Sequence, residues 1–102
     1  MTKPPERRVG AVPRFLKSKR RLPPAVQMAI DEQVKALFDD PLAGEPKVGA
    51  LKGVRVVKFK AADRQYLLAY YFLAKPSTIE SLGVGVCENF YRDLEQYLGG
   101  RR

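Results

Sequence analysis

Three apolar segments follow one another in residues 54–87, which read VRVVKFKAADRQYLLAYYFLAKPSTIESLGVGVC. Their β-branched and aromatic side chains predict strands, and the short segments between them contain turn residues such as Pro76 and Ser77. Short connections favour antiparallel neighbours, so this region predicts a three-stranded meander. The predicted strands cover residues 54–60, 66–73 and 79–87.

The first of these strands carries two lysines that form a candidate site. Its alternation breaks at Val56 and Val57, which indicates a β-bulge or burial on both faces. From Val57 onward a period of two places Lys58 and Lys60 on one face, about 6.6 Å apart along the strand. Two cations therefore project side by side, although such lysines are also typical of the solvated face of an antiparallel sheet.

Helical patterns lie on both sides of the meander in the sequence. Residues 9–12 predict a short strand, and residues 15–22 fit a short helix whose basic side chains are most simply a solvated face. Apolar residues at steps of four, four and three predict a longer helix over 24–38, and a similar spacing predicts a last helix over 89–98. This order predicts an α+β fold, with a small antiparallel sheet, two N-terminal helices and a short C-terminal helix.

Length and charge point to one basic domain. The chain has 102 residues, which suits a single domain over 1–102, with 1–8 and 99–102 expected to be loose ends. Nineteen Lys and Arg against eleven Asp and Glu give a net charge of +8. Such a charge favours a polyanionic partner, although a merely soluble basic protein would also show it.

The absence of His and the presence of a single Cys limit the chemistry that this chain can perform. The chain has no His and one Cys, so the usual Cys/His zinc site and an intramolecular disulfide are excluded. Any catalysis must use Lys, Arg, Tyr or carboxylates, and we expect neither a metal nor a cofactor. The apolar run 66–74 is far shorter than a membrane helix, and residues 1–8 do not resemble a secretory signal, so we expect a cytoplasmic protein without membrane contact.

Five groups of residues form an ordered pattern along the chain. They are DP at 40–41 with GE at 44–45, GALKGV at 49–54, VKFK at 57–60, LLAY at 67–70 and ENFYRDL at 88–94. In this order they resemble the RelE/ParE superfamily of toxins from type II toxin–antitoxin modules, and its RelE-like branch in particular. The resemblance extends over about residues 15–98.

The resemblance implies a toxin function with two known targets. RelE-type toxins are metal-free ribonucleases that cut mRNA on the ribosome and are neutralised by an antitoxin, whereas ParE-type toxins share the fold and inhibit DNA gyrase. We therefore expect a ribosome-dependent mRNA endoribonuclease whose partners are mRNA on the ribosome and a cognate antitoxin, in a hetero-oligomer. The alternatives are a gyrase inhibitor, a catalytically degenerate toxin that only binds its antitoxin, and a generic RNA-binding module, because a fold does not determine function.

The resemblance also assigns catalytic residues. Lys58 and Lys60 match the two strand lysines of RelE-type toxins, and repulsion between them would lower the pKa of one and allow it to act as a base. Tyr91 matches the tyrosine that stacks on a nucleobase in RelE, although a helical tyrosine can equally serve packing. Glu88 is a candidate base or the ion-pair partner of Arg92, four residues later.

Three arginines are candidate phosphate ligands: Arg55, Arg64 and Arg92. The chain also departs from the family pattern. Cys87 stands where the branch has His, and RelE has arginines at the positions of Leu67 and Cys87. Two phosphate-binding cations of RelE therefore have no counterpart here. Cys87 itself is either a thiolate near cations or a small residue at a strand end.

Overall fold

The structure is a computed structural model and describes residues 7–86 and 89–99. Within these residues, five strands form one mixed sheet: β1 (Arg8–Ala11), β2 (Glu45–Pro46), β3 (Val54–Ala61), β4 (Arg64–Leu73) and β5 (Thr78–Val86). The helices are α1 (Pro13–Arg20), α2 (Pro24–Asp39) and α3 (Phe90–Gly99), and one turn of 3-10 helix covers Gly49–Leu51. The strand order across the sheet is β1, β5, β4, β3, β2.

The predicted α+β fold is confirmed, and the β3–β4–β5 meander is antiparallel as expected. Two details of the sheet differ from the prediction. Strand β1 pairs with β5 in parallel, and β2 adds a short strand beside β3 within a region interpreted as loop. A four-residue pattern does not encode the direction of its partner, and two residues that include Pro46 are too few to show a period.

The break in alternation at Val56 and Val57 reflects burial of side chains on both faces of β3, not a β-bulge. The pairing of β3 with β4 continues in register along the whole of β3, with Val56 buried and Val57 half-buried. The bulge lies instead in β5, where Gly83 pairs with Ala69 and Ser81 pairs with Tyr70, so that the pairing skips Leu82.

Residues at the N-terminal boundary that were expected to be loose are held in place. Arg8 belongs to β1, and its backbone N–H donates to the Ser77 carbonyl at 2.8 Å. The Arg7 guanidinium lies 5.7 Å from the ring centroids of both Phe38 and Phe72, and it donates to Ser77 Oγ at 3.0 Å and to the Phe38 carbonyl. Cation–π contacts and hydrogen bonds thus fasten this segment between α2 and the sheet.

The sheet lies between two helical layers. Residues paired across strands share a face. On one face, Tyr70 and Ser81 lie toward α1 and α2, and the Tyr70 hydroxyl donates to the Pro41 carbonyl just beyond α2 at 2.7 Å. On the other face lies α3, because a Cβ placed on Gly83 would be 3.9 Å from both Phe90 and Leu94. The two strand lysines belong to this second face, since Lys58 pairs with Leu67 and Leu67 with Gly85.

The β3–β4 hairpin contains a strained residue that predicts a stabilising substitution. Ala62 and Asp63 have φ of 50° and 63°, the left-handed conformation of both central residues in a type I′ turn. We expect Ala62→Gly to raise the free energy of unfolding by about 0.5–1 kcal/mol, because glycine adopts this conformation without a Cβ clash. Urea unfolding measures the change. Ala36→Gly is the matched control, and in the exposed interior of α2 it should lower stability by about 1 kcal/mol. If both substitutions changed the free energy of unfolding in the same direction, the explanation by the left-handed conformation of Ala62 would be contradicted.

Candidate nucleic-acid interface

Lys58 and Lys60 are both exposed on the face of the sheet that carries α3. Lys58 lies in a row with Leu67 and Gly85, and a Cβ on Gly85 would be 3.6 Å from the Phe90 ring at the start of α3. Glycine at this position lets the helix approach the sheet closely. Lys58 therefore lies in the row of the sheet that leads to the start of α3, and Lys60 shares its face, as their alternation predicted.

Tyr91 of α3 lies in the same cleft as Lys58. It is half-buried, and its ring packs edge to face with Phe90 at 5.4 Å between centroids. Phe90 is the residue that packs on the sheet, and Tyr91 follows it at the border of a cleft of about 340 Å³ that Lys58 also lines. The structure thus brings together Lys58 of β3 and Tyr91 of α3, two residues that are 33 positions apart in the sequence.

Glu45 and Lys47 also line this cleft, and neither was predicted from the sequence as a site residue. Lys47 Nζ donates to Glu45 Oε1 at 2.7 Å and lies 5.0 Å from the centroid of the Tyr91 ring. The sequence could have predicted that Glu45 and Lys47 lie side by side, because residues two apart in an extended chain point to the same side. It could not have predicted that Tyr91 would be their neighbour.

The charges in this cluster influence one another. The hydrogen bond from Lys47 is the main cause of a lowered pKa of Glu45, and the charge of Lys58 adds a small contribution in the same direction. The same hydrogen bond raises the pKa of Lys47, an effect opposed by burial and supported by Tyr91. At neutral pH the cleft therefore contains an ionised Glu45 carboxylate that is hydrogen-bonded to the Lys47 ammonium group.

The structure separates two candidate phosphate ligands from this cleft. Arg55 lies on the opposite face of β3, and its guanidinium donates to the carbonyls of Leu42 at 3.1 Å and Gly44 at 2.7 Å. These bonds hold the segment between α2 and β2. Arg64 is exposed in the β3–β4 hairpin opposite Ala61, on the same face as Arg55. Neither arginine is brought together with Lys58 and Lys60.

The remaining residues singled out in the sequence are Arg92, Glu88, Cys87 and Leu67. Arg92 is exposed, and its Nη2 donates to Asn89 Oδ1 at 2.9 Å. Glu88 and Cys87 are outside the described residues. Leu67 is 1% exposed beneath α3 and contributes only apolar packing to this part of the sheet.

The basic residues of α1 form a separate surface. Lys17, Arg20 and the following Arg21 are exposed, as a solvated helix face would be. Lys19 donates to Asp31 at 2.5 Å, and the Arg14 guanidinium lies 4.9 Å from the Tyr97 ring centroid. These two contacts connect α1 to α2 and to α3.

Two further properties concern the described residues as a whole. None of the helices within residues 7–86 and 89–99 is both long and apolar enough to cross a membrane. The same residues contain no group of three or more Cys, Asp or Glu side chains that could hold a metal ion.

The fold is that of RelE toxins. The structure is similar to a double arginine-to-alanine variant of Escherichia coli RelE in the free state, with a TM-score of 0.74, 17% identity and coverage of 93% of this chain and 96% of that one. It is also similar to a chain of the toxin–antitoxin complex RelBE2 from Mycobacterium tuberculosis, with a TM-score of 0.70, 23% identity and coverage of 78% and 96%. A chain of the intact E. coli RelBE complex matches with a TM-score of 0.68, 18% identity and coverage of 81% and 99%.

The sequence itself identifies the family. The model of the ParE-like toxins of type II bacterial toxin–antitoxin systems matches residues 9–95. No curated protein has a sequence that matches this chain. The chain belongs to the ParE-like toxin family, and the expected membership of the RelE/ParE superfamily is confirmed.

Proposed function

We propose that this toxin is a ribosome-dependent mRNA endoribonuclease. The observation that carries the proposal is the shared cleft of Lys58 and Tyr91, with Lys60 exposed two residues further along the same face of β3. Cations beside an aromatic ring suit RNA, because the ammonium groups attract the phosphate and the ring can stack on a base. A gyrase inhibitor that cleaves nothing would not require this combination of groups.

The proposed reaction is the attack of a ribose 2′-hydroxyl on the adjacent phosphate, with departure of the 5′-oxygen. It requires a proton acceptor at the 2′-oxygen, positive charge near the phosphoryl oxygens and a proton donor at the 5′-oxygen. Lys58 and Lys60 supply the charge, and Tyr91 stacks on a base next to the scissile phosphate. Stacking of this kind contributes about 1–3 kcal/mol per base.

The proton acceptor has three kinds of candidate. From the sequence it is one of the two strand lysines or Glu88. The cleft adds Glu45, whose carboxylate is ionised and 69% exposed beside Lys47. An ionised carboxylate can accept the 2′-hydroxyl proton while both lysines remain charged around the phosphate.

We also propose a cognate antitoxin as the partner that neutralises this activity in the cytoplasm. Support comes from the similar structures from E. coli and M. tuberculosis, which are described as toxin–antitoxin complexes. The net charge of +8 would favour an acidic protein as well as RNA. Toxin and antitoxin would then form a hetero-oligomer.

Induced expression in bacteria without the antitoxin tests the proposed activity. We expect protein synthesis to stop within minutes and primer extension to reveal discrete cuts in translated mRNA, because the nuclease would act on the ribosome. Purified toxin should cut mRNA when ribosomes are present and leave free mRNA largely intact. Intact transcripts combined with blocked DNA replication would contradict the proposal and indicate a gyrase inhibitor. Harmless expression with retained antitoxin binding would indicate a degenerate toxin.

A further inference from the structure

Lys47 contacts residues of both β2 and α3 at the cleft. Its ammonium donates to Glu45 at 2.7 Å on β2 and lies 5.0 Å from the centroid of the Tyr91 ring on α3. Strand β2 is an edge strand of two residues, and α3 packs on the sheet through Phe90 and Leu94. The Lys47 side chain therefore bridges from the edge of the sheet to the tyrosine that follows the packed Phe90.

This arrangement is unusual for a lysine. Only 21% of the Lys47 side chain is exposed, whereas lysine ammonium groups ordinarily extend into water on a flexible stem. Its backbone is already fixed, because its N–H donates to the Val54 carbonyl at 2.9 Å. An ion pair with an exposed carboxylate contributes little to stability by itself. The contact that remains to be explained is the one with the aromatic ring.

We propose that Lys47 is a positioning residue for Tyr91. Its cation–π contact fixes the ring beside Lys58, so that a base can stack on Tyr91 while its phosphate meets the strand lysines. Glu45 in turn holds the Lys47 ammonium in place. The inference rests on the proposed nuclease function, and it assigns to Lys47 an effect exerted through Tyr91 and not through the RNA.

A double-mutant cycle tests whether Lys47 acts through Tyr91. In ribosome-dependent mRNA cleavage we expect Lys47→Met to lower kcat/KM about tenfold, since it keeps the length of the side chain and removes the cation. In a Tyr91→Ala background the same substitution should change kcat/KM by less than about twofold, because the ring it positions is gone. Equal losses in the two backgrounds would overturn the proposal and indicate direct contact of Lys47 with RNA.

A conservative variant and a matched control sharpen the cycle. Lys47→Arg should retain kcat/KM within about threefold, because a guanidinium also pairs with a carboxylate and stacks on an aromatic ring. Lys75→Met removes the same charge from the exposed turn beyond β4, a strand separated from β2 by β3 in the sheet, and should leave cleavage unchanged. Failure of arginine to restore activity would overturn the cation–π role.

A spectroscopic measurement separates this inference from the proposed function. In protein labelled with 3-fluorotyrosine, the ¹⁹F resonance of Tyr91 is assigned by its loss in Tyr91→Phe. We expect Lys47→Met to shift or broaden that resonance and Lys75→Met to leave it unchanged. An unchanged resonance in Lys47→Met overturns the positioning itself, whether or not the protein cleaves mRNA. If Lys47→Met gives the expected ¹⁹F shift but the wild-type protein cleaves no mRNA, the nuclease function is overturned instead.

Discussion

Replacing Lys58 and Lys60 together by alanine is expected to abolish mRNA cleavage, with a loss of at least about 10³-fold in kcat/KM. Removal of one group that stabilises charge in a transition state typically costs about 10²–10³-fold. Both side chains are exposed on the face that also carries Tyr91, so their removal takes away the positive charge and leaves the core untouched. Cleavage of a defined mRNA on purified ribosomes measures the effect, and growth after induction reports it in cells.

Two sets of variants distinguish the roles of the lysines. Lys35→Ala with Lys75→Ala makes the same change in net charge at exposed positions in α2 and in the turn after β4, and it should leave cleavage within about twofold. Lys58→Arg with Lys60→Arg keeps the charge, but a guanidinium does not release its proton in proteins. Activity retained by the arginine variant would show that the lysines act through charge alone and would place the proton transfer on another group.

Antitoxin binding provides the control for folding. The Lys58→Ala, Lys60→Ala variant should bind the cognate antitoxin with a Kd within tenfold of wild type, and its thermal unfolding should be unchanged within about 2 °C, since exposed substitutions seldom alter stability greatly. A variant that folds, binds antitoxin and still cleaves mRNA at a rate within tenfold of wild type would show that the site lies elsewhere.

Gly44→Ala is expected to cause the largest loss of stability, about 3 kcal/mol. A Cβ at this position would lie 2.6 Å from the hydroxyl oxygen and 2.7 Å from Cε1 of Tyr70, whose side chain is fully buried. The ring cannot move aside without disturbing the core, because buried side chains are close-packed. For a domain of this size the loss corresponds to a decrease in Tm of about 12–24 °C. Urea unfolding and calorimetry measure it.

Two other glycines provide matched comparisons. Gly10→Ala places its Cβ in open space on β1, and we expect no loss of stability. Gly83→Ala places its Cβ 2.8 Å from the Arg14 guanidinium, the end of a flexible side chain that can move, so its cost should be well below that of Gly44→Ala. Equal effects of Gly10→Ala and Gly44→Ala would refute the steric explanation.

The Tyr70 hydroxyl also stabilises this contact through hydrogen bonds. It accepts from the Gly44 N–H at 2.9 Å and donates to the Pro41 carbonyl at 2.7 Å. Tyr70→Phe leaves both backbone groups without this partner and should cost about 1–3 kcal/mol. Gly44→Ala should then be less costly in the Tyr70→Phe background, because the shortest clash has been removed.

The ionisation of Tyr70 adds a dependence on pH. Burial is the main cause that raises the pKa of Tyr70 above its ordinary value. The stability that this shift contributes is complete below the ordinary pKa of tyrosine and is lost as the pH rises through the raised pKa. Alkaline unfolding should therefore be steeper in wild type than in Tyr70→Phe, and equal profiles would contradict this assignment.

These contacts matter for the candidate site because of where they lie. The Tyr70 hydroxyl and the Arg55 guanidinium both bind the segment between α2 and β2, on the face opposite the two lysines. That segment leads directly into Glu45 and Lys47. These hydrogen bonds thus hold in place the segment that leads to two residues of the cleft, Glu45 and Lys47.

The sequence by itself determined the three helices, the strands other than β2 and the shared orientation of the strand lysines. A period of two is a local property of the backbone, so Lys58 and Lys60 had to share a face wherever β3 was placed. The same period separates Arg55 from them, and it could have excluded Arg55 from the lysine face without a structure. Secondary structure was equally accessible, because apolar spacing reports which side of each helix or strand is buried.

Only the tertiary structure decided what the lysine face meets. Residues of α2, β2, β3 and α3 line the cleft, and its members Glu45, Lys47, Lys58 and Tyr91 come from three separate parts of the sequence. Their proximity depends on the close approach of α3 over Gly83 and Gly85 and on the anchoring of the segment before β2. Local periodicity carries no information about such distant neighbours, since packing between elements is what brings them together.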